Sequence, residues 1–578
     1  MAKGLDGVKI HNADGSFGAV ETASYCLRAI DSRSLRLSVR GRALADLRVV
    51  SGVSMGNGSP DVSMSLHGPD VREEDGRVVL TWRSSSTCWN RKTFTFECGE
   101  EQFVYRVAVE GDGPIDAVEF FEGLQDEPGP ASLYRFSRFM SSEVTLLDRR
   151  HYRSCEYACI DALSGPTHDT PREPEDNNHW LFCPPPLAFV WSLAEGPWLG
   201  VGVAPDPGEY NFTRFQYWPL HNCFKLRLTY DGMTRIRGQW ASPRMVFAPA
   251  RDDYDGVRGC VDYLYGQSLA TRPARQQPEW WSRPMFCGWG QQNIFAAHRG
   301  GPGASYARQD AYDSILALLE ERSLHPGTIT IDDKWQKEYA TLEPDLAKWP
   351  DLRGWIDARH AAGQKVLLWV GCWNRDGLPD EECIRRADNG QPVCADPSNP
   401  AYQARLAESV RRMLSPDAGC LNADGLKVDW TNGQPFGPGY VTAGSVWGIE
   451  LLKTLHSTIY SAAKSAKPDS LIITHAANPY FADVTDMLRL NDISAVQRDV
   501  CELMLHRQKL AVIACPDWLI DCDNSSAPTH DEWFEYMKLQ PELGVPSVYF
   551  LTHVDGTGEP IPLSDWDELP QVWRRPLG

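Results

Sequence analysis

Gly425-Leu426-Lys427-Val428-Asp429-Trp430 is a short, mostly apolar run that ends in a carboxylate and an indole. Such a run reads as a buried strand whose last side chains emerge at one end. Lys427 and Asp429 are two positions apart, so alternation places them on the same side of that strand. The pattern recurs on both sides of it. Met285–Trp289, Thr328–Ile331, Val366–Val370, Leu471–Thr474, Met487–Leu490, Leu510–Ala514 and Ser547–Leu551 are further strand candidates, which makes eight. Segments such as Asp310–Ser323, Ala401–Leu414 and Val446–Ala466 lie between them and carry apolar residues at helical spacing. Strands alternating with helices predict a parallel (β/α)8 TIM barrel over 271–560, followed by a short C-terminal extension at 561–578.

Upstream the pattern is different. Leu35-Arg36-Leu37-Ser38-Val39, Val78-Val79-Leu80-Thr81-Trp82, Phe103-Val104-Tyr105-Arg106-Val107 and Phe224-Lys225-Leu226-Arg227-Leu228 alternate with period two. Gly, Asp and Pro separate these runs, and no long helical period appears. Residues 1–270 therefore read as an antiparallel β-sandwich. The Pro-, Asp- and Glu-rich stretch Ser164–Asn178 reads as an exposed loop.

The bulk numbers narrow the function classes. At 578 residues the chain is long enough for two or three domains. A net charge of −20 argues against nucleic acid and against an anionic membrane surface. The first residues lack the apolar core of a secretory signal, and no run reaches about 18 apolar residues, so a soluble cytoplasmic protein is expected. The 16 cysteines show no zinc-site spacing and read as free thiols. No cofactor is expected. The 21 tryptophans are numerous, and indole faces are suited to stacking on sugar rings.

A barrel carries its active site at the C-terminal strand ends. The second strand runs into Asp332 and Asp333, the fourth into Asp429, and the sixth into Asp492. Asp517 follows the seventh candidate and Asp555 the eighth, while His475 follows the fifth. One such carboxylate could simply cap a helix, but the repetition predicts an acidic pocket suited to a neutral polyol or a cation. Trp289, Trp369 and Trp373 would edge it, either as stacking platforms or as barrel packing. Glycoside cleavage requires two carboxyl groups, one as nucleophile or base and one as acid. Asp429 suits the first task, because the Lys427 ammonium favours its ionised form. Asp492 suits the second. A competing reading makes Asp332, Asp429 and His475 ligands of a divalent metal in a barrel lyase or isomerase. A silent sugar-binding protein is a third reading. Asp499 is a rival acid, ranked lower because it lies seven residues beyond Asp492.

These motifs resemble glycoside hydrolase clan D, the α-galactosidase (melibiase) and raffinose-synthase group. Ile331-Asp332-Asp333-x-Trp335 is similar to that group's second-strand signature, and Lys427-x-Asp429 to its nucleophile motif. Arg489 followed by Asp492-Ile493 is similar to its acid/base motif, and Cys394-Ala395-Asp396-Pro397-Ser398-Asn399-Pro400 to a segment after the third strand. The N-terminal β-region favours family 36 over family 27. The resemblance implies a retaining, exo-acting double displacement, with Asp429 as nucleophile and Asp492 as acid/base. It implies that Asp332 and Asp333 bind sugar hydroxyls and that Lys427 and Arg489 bind hydroxyls near the reaction centre, on an oligosaccharide or glycoside substrate. It also implies assembly into homo-oligomers. The chain departs from the pattern in two places. Arg489 lies three residues before Asp492 where family 27 has four, and little sequence follows the eighth strand where family 36 has a β-domain. A β-L-arabinopyranoside, another α-hexoside, or transfer to a sugar acceptor therefore stay open as alternatives.

Overall fold

A computed structural model describes residues 7–13, 16–56, 58–121, 134–136, 145–147, 158–161, 165–168, 184–192, 197–218, 225–274, 276–431, 433–435, 437–490, 492–493 and 499–574. Eight parallel strands form one sheet: β1 (Met285–Cys287), β2 (Thr328–Ile331), β3 (Lys365–Gly371), β4 (Gly425–Asp429), β5 (Leu471–Thr474), β6 (Met487–Arg489), β7 (Leu519–Asp521) and β8 (Ser547–Val548). From β1 to β7 each strand pairs with the next in parallel, and β8 pairs with β1 through Met285↔Ser547. A bridge between Asp521 and Val545 joins β7 to the β8 side and brings the ring almost to closure. Helices such as Gln309–Glu321, Leu352–Ala361, Pro400–Leu414 and Ile449–Ala466 follow the strands, as the alternation requires. β2 and β5 are buried along their whole length, which explains their unbroken apolar character.

The seventh strand corrects the sequence reading. Leu510–Ala514 is the last part of a helix, Val500–Ala514, and β7 is Leu519–Asp521. A short apolar run fits a buried helix and a buried strand equally well, and here Leu510, Ala511, Ile513 and Ala514 are buried on the inner side of the helix. Asp517 consequently precedes the strand. It pairs with Arg272 at 2.7 Å, away from the C-terminal strand ends.

Antiparallel sheets precede the barrel. A five-stranded meander covers Lys9–Arg48, and a twelve-stranded sheet is centred on the long strand Phe103–Phe120. Their buried faces meet in one apolar core, for example through Tyr25 and Phe103, whose ring centroids are 5.2 Å apart. In the stretch expected as a loop, Gly165–His168 is a strand paired with Ala158–Asp161, and residues 169–178 lie outside the described residues. The helix Asp253–Gly266, capped by Asp252, packs on the strands Trp198–Ala204 and Arg244–Ala250.

Specific contacts dock these sheets on the barrel. Tyr210 stacks on Tyr480 with ring centroids 4.0 Å apart, and the Tyr480 hydroxyl donates to Glu450 at 3.0 Å. Gly448 starts the helix Ile449–Ala466 at φ +66°, and a Cβ there would lie 2.5 Å from the Phe212 carbonyl oxygen. Both the backbone angle and the close approach therefore call for glycine. After β8, the helix Asp565–Val572 packs on the helix His530–Leu543 through Trp566 and Trp533. Among the described residues no helix is long and apolar enough to cross a membrane.

Candidate active site

The strand ends converge on a cavity of about 100 Å³. Seven residues expected from the sequence line it: Trp289, Asp332, Asp333, Trp369, Lys427, Asp429 and Asp492. Trp430 and Ser525 complete the lining. A larger open groove, about 1250 Å³, runs outside the barrel between the helices Pro400–Leu414 and Ile449–Ala466. It contains none of the strand-end residues.

Asp429 sits at the last position of β4. Its Oδ1 accepts from the Arg489 guanidinium at 2.8 Å and from the Trp430 backbone N–H at 2.9 Å. Its Oδ2 accepts from the Trp369 indole at 3.0 Å. Burial pushes this carboxyl up, but Arg489, Lys427, His475 and the Trp369 bond outweigh burial and hold it well below the usual carboxylate range. Asp429 is therefore an ionised carboxylate with both oxygens oriented.

Lys427, two residues earlier, donates to Asp332 Oδ2 at 2.8 Å. The Cys287 thiol donates to the same oxygen at 3.0 Å. Burial works against the Lys427 ammonium, but Asp332 and its neighbours raise its pKa well above the ordinary lysine value. Next to this pair, Asp333 accepts from the Tyr339 hydroxyl at 3.3 Å, and its Oδ1 is buried without a hydrogen-bond partner. Burial, then the adjacent Asp332, pushes the Asp333 carboxyl up to about 6. A buried oxygen without a protein partner is placed to accept a hydrogen bond from a ligand hydroxyl.

Arg489 is the hub. It is buried at the end of β6 and faces three carboxylates. One terminal nitrogen donates to Asp492 Oδ1 and Asp523 Oδ2, both at 2.7 Å, and the other reaches Asp429. Asp492 is the most accessible of the three, with 46 % of its side chain exposed. His475, behind the pocket, is hydrogen-bonded to Thr431 and lies 3.3 Å from Arg489. Trp373 is buried outside the cavity lining, where its indole donates to the Thr431 carbonyl at 3.0 Å.

The indoles have a structural basis. Trp369 and Trp430 meet edge to face at 4.7 Å. A Cβ on Gly371 would come within 2.5 Å of the Trp369 ring and 2.8 Å of the Trp430 ring, so glycine makes room for the pair. Trp430 takes a left-handed backbone conformation, φ +57°.

Sequence reasoning missed Trp430, Tyr339 and Ser525, together with Asp521 and Asp523 at the end of β7. The last two were hidden by the displaced strand, although Leu519-Ile520-Asp521 has the same form as the other strand ends. Asp555, expected at the eighth strand end, accepts from Ser526 and the Ala527 N–H and does not line the cavity. Asp499 is exposed at the start of the helix Val500–Ala514. The metal reading needs Asp332, Asp429 and His475 to converge on one point. Asp332 instead faces the Lys427 ammonium, Asp429 and His475 both face the Arg489 guanidinium, and among the described residues no group of three or more His, Cys, Asp or Glu is placed to hold a metal ion.

No family model matches this chain, and no curated protein matches it. Solved structures do. A GH31 family sulfoquinovosidase from E. rectale, in complex with an aza-sugar inhibitor, aligns over 94 % of this chain and 82 % of its own, with TM-score 0.56 and 12 % identity. A GH31 dextranase from Flavobacterium johnsoniae, complexed with glucose, aligns over 98 % and 67 %, with TM-score 0.54 and 12 % identity. A GH36 α-galactosidase from Geobacillus stearothermophilus aligns over 98 % and 85 %, with TM-score 0.52 and 11 % identity. The chain is thus structurally similar to glycoside hydrolases of families 31 and 36, at an identity where the likeness is one of fold. Both families match to a similar degree, so family 36 is not singled out.

Proposed function

We propose that this chain is a retaining, exo-acting α-glycoside hydrolase of α-galactosidase-like type. The observation that carries this reading is a single buried guanidinium, Arg489, bonded to both Asp429 and Asp492 at one cavity. Sharing one guanidinium keeps the two carboxyl groups close neighbours. Retaining enzymes need a separation of about 5–5.5 Å, whereas inverting ones leave room for a water between the groups.

The two carboxyls differ in environment, as their two roles require. Asp429 is ionised and oriented, and attacks the anomeric carbon. Asp492 faces the open side and gives a proton to the departing oxygen as that bond breaks. In the second half, Asp492 takes a proton from water, and the resulting hydroxide displaces Asp429 from the anomeric carbon. Asp332, Asp333 and Lys427 bind hydroxyls of the sugar, and Trp289, Trp369 and Trp430 wall its ring. Similar folds bearing names such as α-galactosidase and dextranase support a sugar substrate. The charge balance supports a neutral one. Four carboxylates line the cavity, and the two cations that form ion pairs with them, Lys427 and Arg489, are already engaged by carboxylates. A sulfonated sugar, as the name sulfoquinovosidase implies for that protein, would meet net negative charge here.

The test is release of p-nitrophenol by purified protein from α-galactoside, β-L-arabinopyranoside, α-glucoside, α-N-acetylgalactosaminide and α-D-fucoside, with and without EDTA. Release that resists EDTA and is abolished in Asp429→Ala supports the reading. Release that survives in Asp429→Ala overturns the nucleophile assignment.

A further inference from the structure

The cation shared by the two reacting carboxylates is also held from behind. Asp523, two residues past the end of β7, is fully buried, and its Oδ2 accepts from the same Arg489 nitrogen that holds Asp492. Its backbone is left-handed, φ +42°, and its N–H donates to Asp521 Oδ1 at 3.0 Å. Its second oxygen, Oδ1, is buried without a hydrogen-bond partner. A strained backbone and an unpartnered buried oxygen both cost stability, so the arrangement is unfavourable for folding alone. The geometry gives it another use.

We propose, on the glycosidase reading above, that Asp523 is a positioning residue: it anchors the Arg489 guanidinium where its charge is divided between Asp429 and Asp492. Without this anchor the guanidinium would be free to turn toward the two reacting groups and hold Asp492 more tightly, at the expense of proton transfer. The charged and titratable groups around it come from every side. Lys427 and Asp429 come from β4, His475 follows β5, Asp492 follows β6, and Asp521 ends β7. Tyr549 follows β8, Arg507 comes from the helix Val500–Ala514, and Tyr536 from the helix His530–Leu543. Asp521 adds support from the same turn. Burial first, then Asp523, pushes its carboxyl well above the usual carboxylate range.

The experiment compares wild type, Asp523→Asn, Asp523→Glu and Asp429→Ala on the best glycoside of the panel, as kcat and KM against pH. Asparagine tolerates the left-handed backbone and keeps the N–H bond to Asp521, so the fold is expected to survive. In Asp523→Asn one negative charge fewer faces Arg489. Its pull falls more fully on the reacting pair, kcat drops at least tenfold with KM within twofold, and the alkaline limb of kcat moves about one pH unit lower. Asp523→Glu keeps the charge but displaces the guanidinium by a methylene, so kcat falls while the limb stays in place. If Asp429→Ala is inactive and Asp523→Asn superimposes on wild type in kcat and in pH profile, the positioning role is overturned and the glycosidase reading stands. If Asp523→Asn does not fold, a Glu variant with wild-type kcat overturns it equally. If Asp429→Ala retains full turnover, the nucleophile assignment fails and this inference fails with it.

Discussion

Replacing Arg489 with Met tests the electrostatic core of the site through stability, without any assumption about substrate. The guanidinium makes three charge-assisted bonds, to Asp492 and Asp523 at 2.7 Å and to Asp429 at 2.8 Å. Asp523 is fully buried and Asp429 is only 17 % exposed, so removing the cation leaves uncompensated charge in a low-dielectric setting. Breaking a buried pair in this way costs about 3–5 kcal/mol. The pH dependence follows from the Asp429 shift. Its folded pKa is depressed, so its contribution to stability is present above the unfolded value of about 3.9 and is lost as pH falls through the folded value. Without Arg489, the largest of the influences that lower it, the folded pKa of Asp429 rises, and the variant recovers stability by protonating as pH falls. The gap between wild type and Arg489→Met is therefore widest at pH 8 and narrows by about 1–2 kcal/mol at pH 5. Urea unfolding followed by tryptophan fluorescence at both pH values reads the gap. A gap below about 1 kcal/mol at pH 8, or one independent of pH, would refute the claim that Arg489 neutralises the buried carboxylates.

Other perturbations have defined signs. Asp333→Asn is expected to stabilise the protein at pH 7.5, by about 1–3 kcal/mol, and to change little at pH 4. The Asp333 carboxyl is pushed up to about 6, so wild type loses stability as pH rises from the unfolded value through 6, and paired urea titrations measure this. Asp424, at the opposite end of the barrel, bonds His360 at 2.6 Å, Lys365 at 3.0 Å and the Val366 N–H at 2.9 Å. Burial raises its pKa, but His360, Lys467 and Val366 outweigh burial and bring it down to about 2. Asp424→Asn should cost about 3–5 kcal/mol at pH 7, a loss that fades as pH falls from about 4 toward 2. Trp369→Phe removes the indole bond to Asp429 and should lower kcat about 10–100-fold with a smaller change in KM, read from steady-state kinetics. Gly448→Ala meets both the positive φ and the Phe212 carbonyl, and should cost about 2 kcal/mol or more in a thermal or urea melt.

Seven of the eight barrel strands were legible in the sequence because buried parallel strands are unbroken apolar runs that end in polar residues. β2 and β5 were read to the residue. β7 was not, because Leu519-Ile520-Asp521 is three residues long while the preceding helix offers a longer apolar run. That displacement also hid Asp521 and Asp523, since strand-end residues are found only where the strand is placed correctly. Lys427 and Asp429 were legible as same-side neighbours through simple alternation. Their partners were not: the Lys427–Asp332 pair links two strands that are not adjacent, and the Arg489 hub gathers residues from β4, β6 and β7. Sequence spacing along one strand carries no information about such contacts across the barrel. Trp373 and Trp369 illustrate the same limit. Both follow the third-strand pattern, but only Trp369 turns its indole toward the carboxylate.

The most direct measurement is to incubate the protein with the 2-deoxy-2-fluoro glycosyl fluoride of the sugar the panel selects, and then to sequence the labelled peptide by mass spectrometry. A stoichiometric label on Asp429, absent from Asp429→Ala, is the result expected of a nucleophile held ionised by Arg489 and Lys427. A label on Asp492 or on any other residue would contradict double displacement through Asp429.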